Sequence, residues 1–551
     1  MNNINSKAKL LDVKPMVTYY MDQLKLKELF EKYIPKTPNM HTSPSDVLSL
    51  MVFNIVNTPS PLYKVSEWLT DYFDGLGEYT LEAAKYNDDC LGRNTDRLYE
   101  ADRNSLMLDL SANAIKAYHL ETDINHNDST TVTFKGRYEN QVPGSIRLRH
   151  GHNKDFRPDC LQIVYGLNIT EDGNVPLSFK LSDGNLTDDG THIPNWEELR
   201  QMLDKDDFIY VADCKLCNQD NLDHFDQNGG FFVTVVPKNR SMLKPFKRQL
   251  QDGEVEWQPA YSVPDNRKPS RENGFYTFES EPAAKGYRLI WVLSTAKALQ
   301  DQKTRERHLA KAEAVLSELS GKLGRYQLKS RDQIEAAVAE AVKNISSLIC
   351  VDLIEHKTCY KKKIGRGRPG PDSIYEDRTQ ITYELNWQRN LTAIEQQALA
   401  DGVFPLITNT DKPCVEVLRI YKNQAGLEKR FNTAKSVLGI APVFLKKSSR
   451  IEAIMFLYFV ALMVISLIER AIRKQMAAES IEKLPILPQK MQTGRPTWNN
   501  LRYLFRNVHL SQIFIKDHLV KQTIKGLQDI HLVVLRLLGV PPSVYLNLAI
   551  E

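Results

Sequence analysis

The sequence predicts a mixed α/β protein whose central sheet is interrupted by an inserted domain and preceded by a small all-α domain. Residues 124–134 alternate in the manner of a strand with one face toward the core. Residues 208–212 are a short apolar run without alternation, which is typical of a central buried strand. Between residues 238 and 400 a long region with its own helices and strands interrupts the pattern, so we expect the sheet to resume beyond it.

The overall composition is that of a soluble globular protein. The chain has 551 residues, enough for several domains, with 42% hydrophobic and 25% charged residues. Its net charge is only +4, so a nucleic-acid surface would have to come from local clusters of basic residues. Seven scattered cysteines favour a reducing cytosol. The N-terminal segment lacks the apolar stretch of a signal peptide, so none is expected. The apolar run 453–468 is short for a membrane span, and we expect this run to be a core helix.

Residues 1–120 are predicted to form the helical N-terminal domain. Ser43 and Pro44 are suited to the N-cap and the first position of a helix. Further helices are expected over 62–73 and 104–118. We interpret this domain as a DNA-end-binding domain, with simple helical packing as the alternative.

Residues 121–237 are predicted to form the first part of the catalytic core. After the strand 124–134, the apolar segments on either side of Glu171-Asp-Gly173 indicate a hairpin. The following segments alternate between helical and strand patterns, which indicates a mixed sheet. The expected elements are strands at 160–169, 175–181, 208–212 and 231–236 and helices at 196–203 and 218–225.

Residues 238–400 are predicted to be the inserted domain, with a strand at 287–293 and charged helices at 296–323 and 331–346. A basic segment within it suits neutralisation of phosphates, and its Gly-Arg-Pro sequence suits a minor groove. The alternative is a mobile basic loop. The proposed DNA contacts in this segment are Lys361, Lys362, Lys363, Arg366 and Arg368.

Residues 401–475 are predicted to complete the core, and 476–551 to form a helical C-terminal region. The core part contains the strand 404–408 and then a helix on which four polar residues share one face. At about 100° per residue they fall within roughly 60° of one another. Gly426 is a poor helix former and is a possible helix start, and a solvated charged face is the simplest alternative. The four residues are Tyr421, Gln424, Glu428 and Lys435.

Three carboxylates are placed to converge in this arrangement. Asp128 lies on the first strand of the core, Asp213 ends the central strand, and Glu428 lies on the helix after the insertion. Three carboxylates with little histidine nearby suit Mg²⁺, which prefers oxygen ligands and shares them with substrate phosphates. Two such ions would support an in-line displacement at phosphorus.

Several short stretches match one known family. They are Asn87-Asp-Asp-Cys-Leu-Gly-Arg93, Asp96-Arg-Leu-Tyr99, Asp128-Ser-Thr-Thr131, Asn153-Lys-Asp-Phe-Arg-Pro-Asp159, Val211-Ala-Asp213, Glu428-Lys-Arg-Phe431 and Ala441-Pro-Val-Phe-Leu445. From about residue 20 to 475 the chain resembles the DDE transposases of bacterial insertion sequences, in the group with a Tyr-x2-Arg-x3-Glu-x6-Lys signature and a β-rich insertion before the glutamate.

The resemblance implies an RNase H-like core with Asp128, Asp213 and Glu428 as the metal-binding triad. It also implies that Tyr421 and Lys435 lie near the DNA backbone. The expected cofactor is Mg²⁺, for which Mn²⁺ would substitute. The expected partners are the terminal inverted repeats of the element and a target DNA, bound by a synaptic homodimer. No membrane association is expected, and the expected location is the bacterial cytoplasm, at the nucleoid. The expected activity is cut-and-paste movement of a DNA element.

One position departs from the signature. Gln424 stands where the family has arginine, which keeps hydrogen bonding but loses a charged bidentate phosphate contact. Arg430 and Lys422 are candidates to compensate as DNA contacts. Trp257 and Trp291 in the insertion are candidates to stack an extruded base, although core packing is the simpler role for both.

Three other functions remain open from the sequence. Cys214 and Cys217, with His150 and His152, suggest a zinc hydrolase, but a single CxxC pair is a weak signal and two free thiols at a strand end are the simpler interpretation. A catalytically silent DNA-binding derivative of a transposase would be expected to have lost a triad carboxylate. A metal-dependent nuclease would share the core but lack strand transfer.

Overall fold

The computed structural model describes residues 4–72, 83–138, 141–186, 190–237, 243–265, 272–283, 286–325, 328–371, 373–440, 445–515 and 518–549. The chain divides into two compact units. The first comprises Met1–Thr234 with Arg419–Glu551, and the second comprises Val235–Leu418. The matching stretch around residues 441–444 lies outside the described residues.

The N-terminal part of the first unit is helical, as the sequence predicted, except for one strand at its start. Its apolar faces pack into the same core as the rest of this unit. Its elements are β1 (Ile4–Leu10), α1 (Lys14–Gln23), α2 (Leu26–Tyr33), α3 (Pro44–Asn57), α4 (Leu62–Leu69), α5 (Asp88–Glu100) and α6 (Arg103–Tyr118).

The catalytic core of the first unit is a mixed sheet with the strand order β4-β3-β2-β5-β6. β2, β3 and β4 pair antiparallel, whereas β5 and β6 run parallel to β2. Three antiparallel strands followed by two parallel ones, with helices in the connections, confirm the predicted mixed α/β class with an RNase H-like core. The elements are β2 (Ile124–Phe134), β3 (Leu161–Thr170), β4 (Pro176–Asp183), α7 (His192–Leu203), β5 (Ile209–Val211), α8 (Gln219–Gln227) and β6 (Phe231–Val235).

The predicted helix around Glu428 is divided. α13 (Cys414–Asn423) ends before Gln424, α14 (Ala425–Asn432) follows, and a wider π-helical turn covers Thr433–Val437. A Cβ at Gly426 would lie 2.2 Å from Asn174 Oδ1, so α14 closely approaches the turn between β3 and β4 at this residue.

The long apolar helix α15 (Ser448–Ala478) is the centre of the first unit. It is the one helix among the described residues that is long and apolar enough to cross a membrane, but 89% of its most apolar window is buried inside the protein. This confirms the prediction of a core helix over 453–468. Two ion pairs join α15 to its surroundings, Arg430 with Glu469 and Arg470 with Asp172. The arginine side chain of each pair is almost completely buried.

The C-terminal region was predicted to be helical throughout, and this is wrong for residues 509–525. β13 (His509–Ile515) and β14 (His518–Lys525) form a hairpin, and β1 from the N-terminus pairs antiparallel with β13. These strands carry polar residues on both faces, so their alternation is weak in the sequence. The helices of this region are α16 (Trp498–Phe505), α17 (Asp529–Leu537) and α18 (Ser543–Leu546).

The second unit contains an antiparallel sheet, charged helices and a separate long hairpin. The sheet has the order β12-β9-β8-β7, and the hairpin pairs β10 with β11. The hairpin was not predicted from the sequence. The elements are α9 (Leu243–Gln251), β7 (Gln258–Pro264), β8 (Glu272–Ser280), β9 (Arg288–Ser294), α10 (Thr295–Lys322), α11 (Arg331–Val342), β10 (Ile349–Lys363), β11 (Tyr375–Arg389), α12 (Leu391–Ala398) and β12 (Val403–Thr408).

Candidate active site

Asp128 and Asp213 are brought level with each other by the pairing of β2 with β5. In this parallel pair His126 lies opposite Val211, and each aspartate is two residues further along its own chain. Adjacent strands are about 4.8 Å apart. Both aspartates line one small pocket at this end of the sheet.

Burial raises the pKa of the Asp128 carboxyl, and the neighbouring negative charge of Asp213 raises it further. Two contacts act in the opposite direction. The backbone N–H of Ser129 donates to Asp128 Oδ1 over 2.7 Å, and the Lys154 ammonium lies 3.3 Å from the same oxygen. The negative charge of the two aspartates is therefore partly balanced by Lys154 and by the backbone N–H of Ser129.

Tyr421 lies near both aspartates and near Glu428. Burial raises the pKa of its hydroxyl to about 12, and the negative charges of Asp213, Asp128 and Glu428 contribute to the increase. The tyrosine thus lies within the field of all three carboxylates. α14 packs against β2, and the Glu428 side chain on it is exposed to solvent and near enough to Tyr421 for its charge to affect that pKa.

Lys435 and Lys154 are both occupied by neighbouring acidic groups. Lys435 Nζ lies 2.7 Å from Asp155 Oδ1. The preceding residue, Lys154, reaches Asp128 and also donates to the carbonyl of Ser129 over 2.5 Å. The contact of Lys154 with Asp128 has no signal in the sequence, because the two residues are 26 positions apart and only the fold brings them together.

The Transposase DDE domain family model matches residues 122–464, more than half of the chain and all three carboxylates. The chain belongs to the DDE transposase family. It is therefore an enzyme that acts on DNA, and the family generally uses a divalent metal. A domain of unknown function, DUF4277, matches residues 6–112.

One solved structure similar to this transposase is the piggyBac transposase in a synaptic complex with hairpin DNA, studied by cryo-EM. The identity is 10% and the TM-score is 0.34, over 90% of this chain and 77% of that chain. The curated proteins contain no match to this transposase.

Gln424 of the transposase is engaged inside the protein. Its Oε1 accepts a hydrogen bond of 2.9 Å from His126 Nδ1, and its Nε2 donates over 2.8 Å to the carbonyl of Asn127. Burial lowers the pKa of His126 to about 4, so its ring is neutral near pH 7. We therefore do not keep Gln424 among the proposed DNA contacts, because its amide joins the start of α14 to β2.

Arg430 is also a structural residue. Its side chain is 4% exposed, and its guanidinium donates to the carbonyls of Gly173 and Asn174 and to Glu469, each over 2.8 Å. A guanidinium with these partners is not available to a phosphate. The prediction that Arg430 compensates for Gln424 as a DNA contact is corrected accordingly.

The basic segment of the second unit is the end of a long hairpin and not a loop throughout. Lys361, Lys362 and Lys363 lie on β10, opposite Asp377, Glu376 and Tyr375 of β11. Lys363 Nζ donates to the backbone carbonyls of Gly367 and Arg368 and so closes the turn. The other basic residues, including Arg366 and Arg368 in the turn, are exposed.

The two tryptophans pack within the second unit. Trp291 is 3% exposed and stacks on Phe246, and its indole N–H donates to Ser280 Oγ over 3.0 Å. Trp257 meets the edge of Phe246 with ring centroids 6.2 Å apart. Both are thus engaged in packing, the role that the sequence favoured.

The zinc-hydrolase alternative is not supported by the geometry. Cys217 is buried, whereas His150 and His152 are exposed. Throughout the described part of the chain, no three or more His, Cys, Asp or Glu side chains are gathered closely enough to hold a metal ion. The same statement applies to the three carboxylates, which surround the end of the sheet without meeting at one point.

Proposed function

We propose that this transposase cuts DNA at the ends of its own insertion sequence and joins the ends to a target DNA, with Asp128, Asp213 and Glu428 as its catalytic triad. The observation that carries the proposal is the level placement of the two aspartates on β2 and β5, with Tyr421 in the field of all three carboxylates. The bound DNA would be the terminal inverted repeats and the target, held by a homodimer at the bacterial nucleoid.

The donor set suits a divalent cation. Burial raises the pKa of Asp128, the charge of Asp213 adds to the increase, and a bound cation would stabilise the ionised carboxylate against both. The three proposed ligands are all carboxylates, which favours Mg²⁺, with Mn²⁺ as a substitute. Asp128 and Asp213 would hold the metal, and the exposed Glu428 would complete the set. When bound, the metal would activate a water or a 3′-hydroxyl and stabilise the leaving oxygen.

The protein's own residues would position the DNA. Lys435 supplies a positive charge beside the carboxylates, and a DNA phosphate would take the place of Asp155 at its ammonium. Tyr421, with a pKa of about 12, keeps its hydroxyl proton and can donate it to a phosphate oxygen. Lys154 would keep Asp128 partly neutralised until the metal and the DNA are bound.

The basic hairpin end is the second proposed DNA contact. The exposed Lys361, Lys362, Arg366 and Arg368 would bind phosphates, and Lys363 would hold the turn that presents them. We propose a catalytically active enzyme and not a silent DNA-binding derivative, because all three carboxylates are present. A nuclease without strand transfer is distinguished by assaying the joining step.

The triad is tested with Asp128→Asn, Asp213→Asn and Glu428→Gln in a cleavage assay on DNA that carries the sequences flanking the transposase's own gene. Each variant removes a negative charge with little change of shape, so we expect cleavage to be lost and DNA binding to be retained. Asp123→Asn is the matched control, because Asp123 lies just before β2 and its side chain is 84% exposed. A triad variant that cleaves at the rate of the control would contradict its assigned role.

A further inference from the structure

Phe156 is the most exposed large apolar side chain among the described residues, with 91% of its surface accessible. Its backbone has a φ of +57°, a left-handed conformation that a bulky residue rarely adopts. Burial does not explain this strained conformation, because the side chain has almost no packing. Backbone strain of this kind persists only where the surrounding structure holds it, and it is concentrated at functional sites.

The surrounding loop is held rigidly. Asn153 is buried, and its Oδ1 accepts hydrogen bonds from the backbone N–H groups of Asp155 (2.8 Å) and Arg157 (3.1 Å). Its Nδ2 donates to Gln162 Oε1 over 2.8 Å, which joins the loop to β3. The backbone N–H of Phe156 donates to the carbonyl of Asn153. These bonds fix both sides of Phe156, so the ring is presented to solvent by a preorganised turn.

The loop also contacts the two groups that would meet DNA. Lys154 reaches Asp128, and Asp155 reaches Lys435. A DNA phosphate at Lys435 must replace the carboxylate of Asp155, so DNA bound there would lie against this loop. Phe156, the next residue, would then face the DNA beside that phosphate.

We propose that Phe156 stacks against a base of the bound DNA next to the phosphate held by Lys435. The proposal rests on the proposed function, because it takes the DNA to lie over Asp128 and Lys435. Every DNA base has an aromatic face, so a solvent-exposed ring is a general stacking partner. The strained backbone and the hydrogen-bonded turn already hold Phe156 in one conformation. Binding would therefore cost little conformational entropy at this residue.

The test is a titration of a fluorescein-labelled duplex carrying the sequence that flanks the transposase's own gene, at several salt concentrations. We expect Phe156→Ala and Phe156→Leu to weaken binding about ten-fold or more, and Phe156→Trp to bind as the wild type does. Because a stacked ring releases no counterions, the slope of log affinity against log salt should be unchanged. Tyr503→Ala is the control, since Tyr503 is an exposed aromatic residue at the end of α16.

Two results would overturn the proposal. One is a Phe156→Leu variant that binds as tightly as the wild type, because leucine keeps the apolar surface without the aromatic face. The other is a lower melting temperature for Phe156→Ala, which would show a packing role. Failure of the wild type to cleave would refute the proposed function instead, and the binding series would still decide the role of Phe156.

Discussion

Gln424 joins, through one side-chain amide, the two elements that carry the proposed catalytic residues Asp128 and Glu428. It contacts His126 and the carbonyl of Asn127 on β2, the strand that carries Asp128, and it stands at the start of α14, which carries Glu428. From the sequence, Gln424 is a departure from the family signature at a position expected to contact DNA. Its hydrogen-bond partners inside the protein could not be predicted, because His126 is almost 300 residues away in the chain and no local pattern reveals the contact.

We expect Gln424→Ala to destabilise the transposase by about 1–3 kcal/mol, because it leaves the His126 Nδ1–H and the Asn127 carbonyl without their partner. The measurement is the urea midpoint of unfolding. Gln219→Ala is the control, since the amide of the exposed Gln219 bonds Asp223, one turn further on the same helix. Weaker DNA binding with unchanged stability would instead restore Gln424 as a DNA contact.

At the scale of the elements, strands and helices with strong apolar patterns were predicted well. The strand predicted at 124–134 is β2, with the same bounds, and the hairpin predicted at 160–169 and 175–181 is β3 and β4 within two residues. The helix predicted at 104–118 is α6. β2 was visible from its alternation, whereas β3 is buried along almost its whole length and was visible as an apolar run that ends at a turn.

The long hairpin that the sequence missed has a buried face over only part of its length. β10 and β11 pair over 15 residues each. Alternate residues near the base pack into a small core, whereas the outer half is exposed and mostly charged or polar, so the alternation is too short to mark strands of this length. The break of the helix agrees with the sequence-based alternative that Gly426 marks a helix start, although Tyr421 lies on the preceding helix α13 and not on a turn. The placement of Lys154 beside Asp128 was missed because it is a tertiary contact between residues 26 positions apart.

The hairpin gives an element-scale prediction. Changing Lys361, Lys362 and Arg368 to Gln should weaken DNA binding and reduce the salt slope by about one for each lost phosphate contact, and it leaves the turn-closing Lys363 in place. The control changes three exposed lysines of the same unit, Lys303, Lys311 and Lys329, and removes equal charge. Equal salt slopes for the two triple variants would show that the hairpin end does not touch DNA.

At the scale of the whole molecule, the proposed roles fall in two different units. The first contains the proposed triad, the core helix α15 and the sheet in which β1 pairs with β13. The second contains the basic hairpin that we propose as a DNA contact. The sequence indicated this interrupted arrangement from the change of pattern between residues 238 and 400, and the match of the DDE domain over 122–464 runs through the interruption.

The central claim is that one triad performs both cleavage and joining, and the most direct measurement assays both steps together. The transposase is mixed with DNA carrying the flanking sequences of its own gene, a second plasmid and Mg²⁺. We predict cut ends and their joining to the plasmid, with both products absent for Glu428→Gln and present for Asp123→Asn. DNA binding without cleavage by the wild type in either Mg²⁺ or Mn²⁺ would contradict the account.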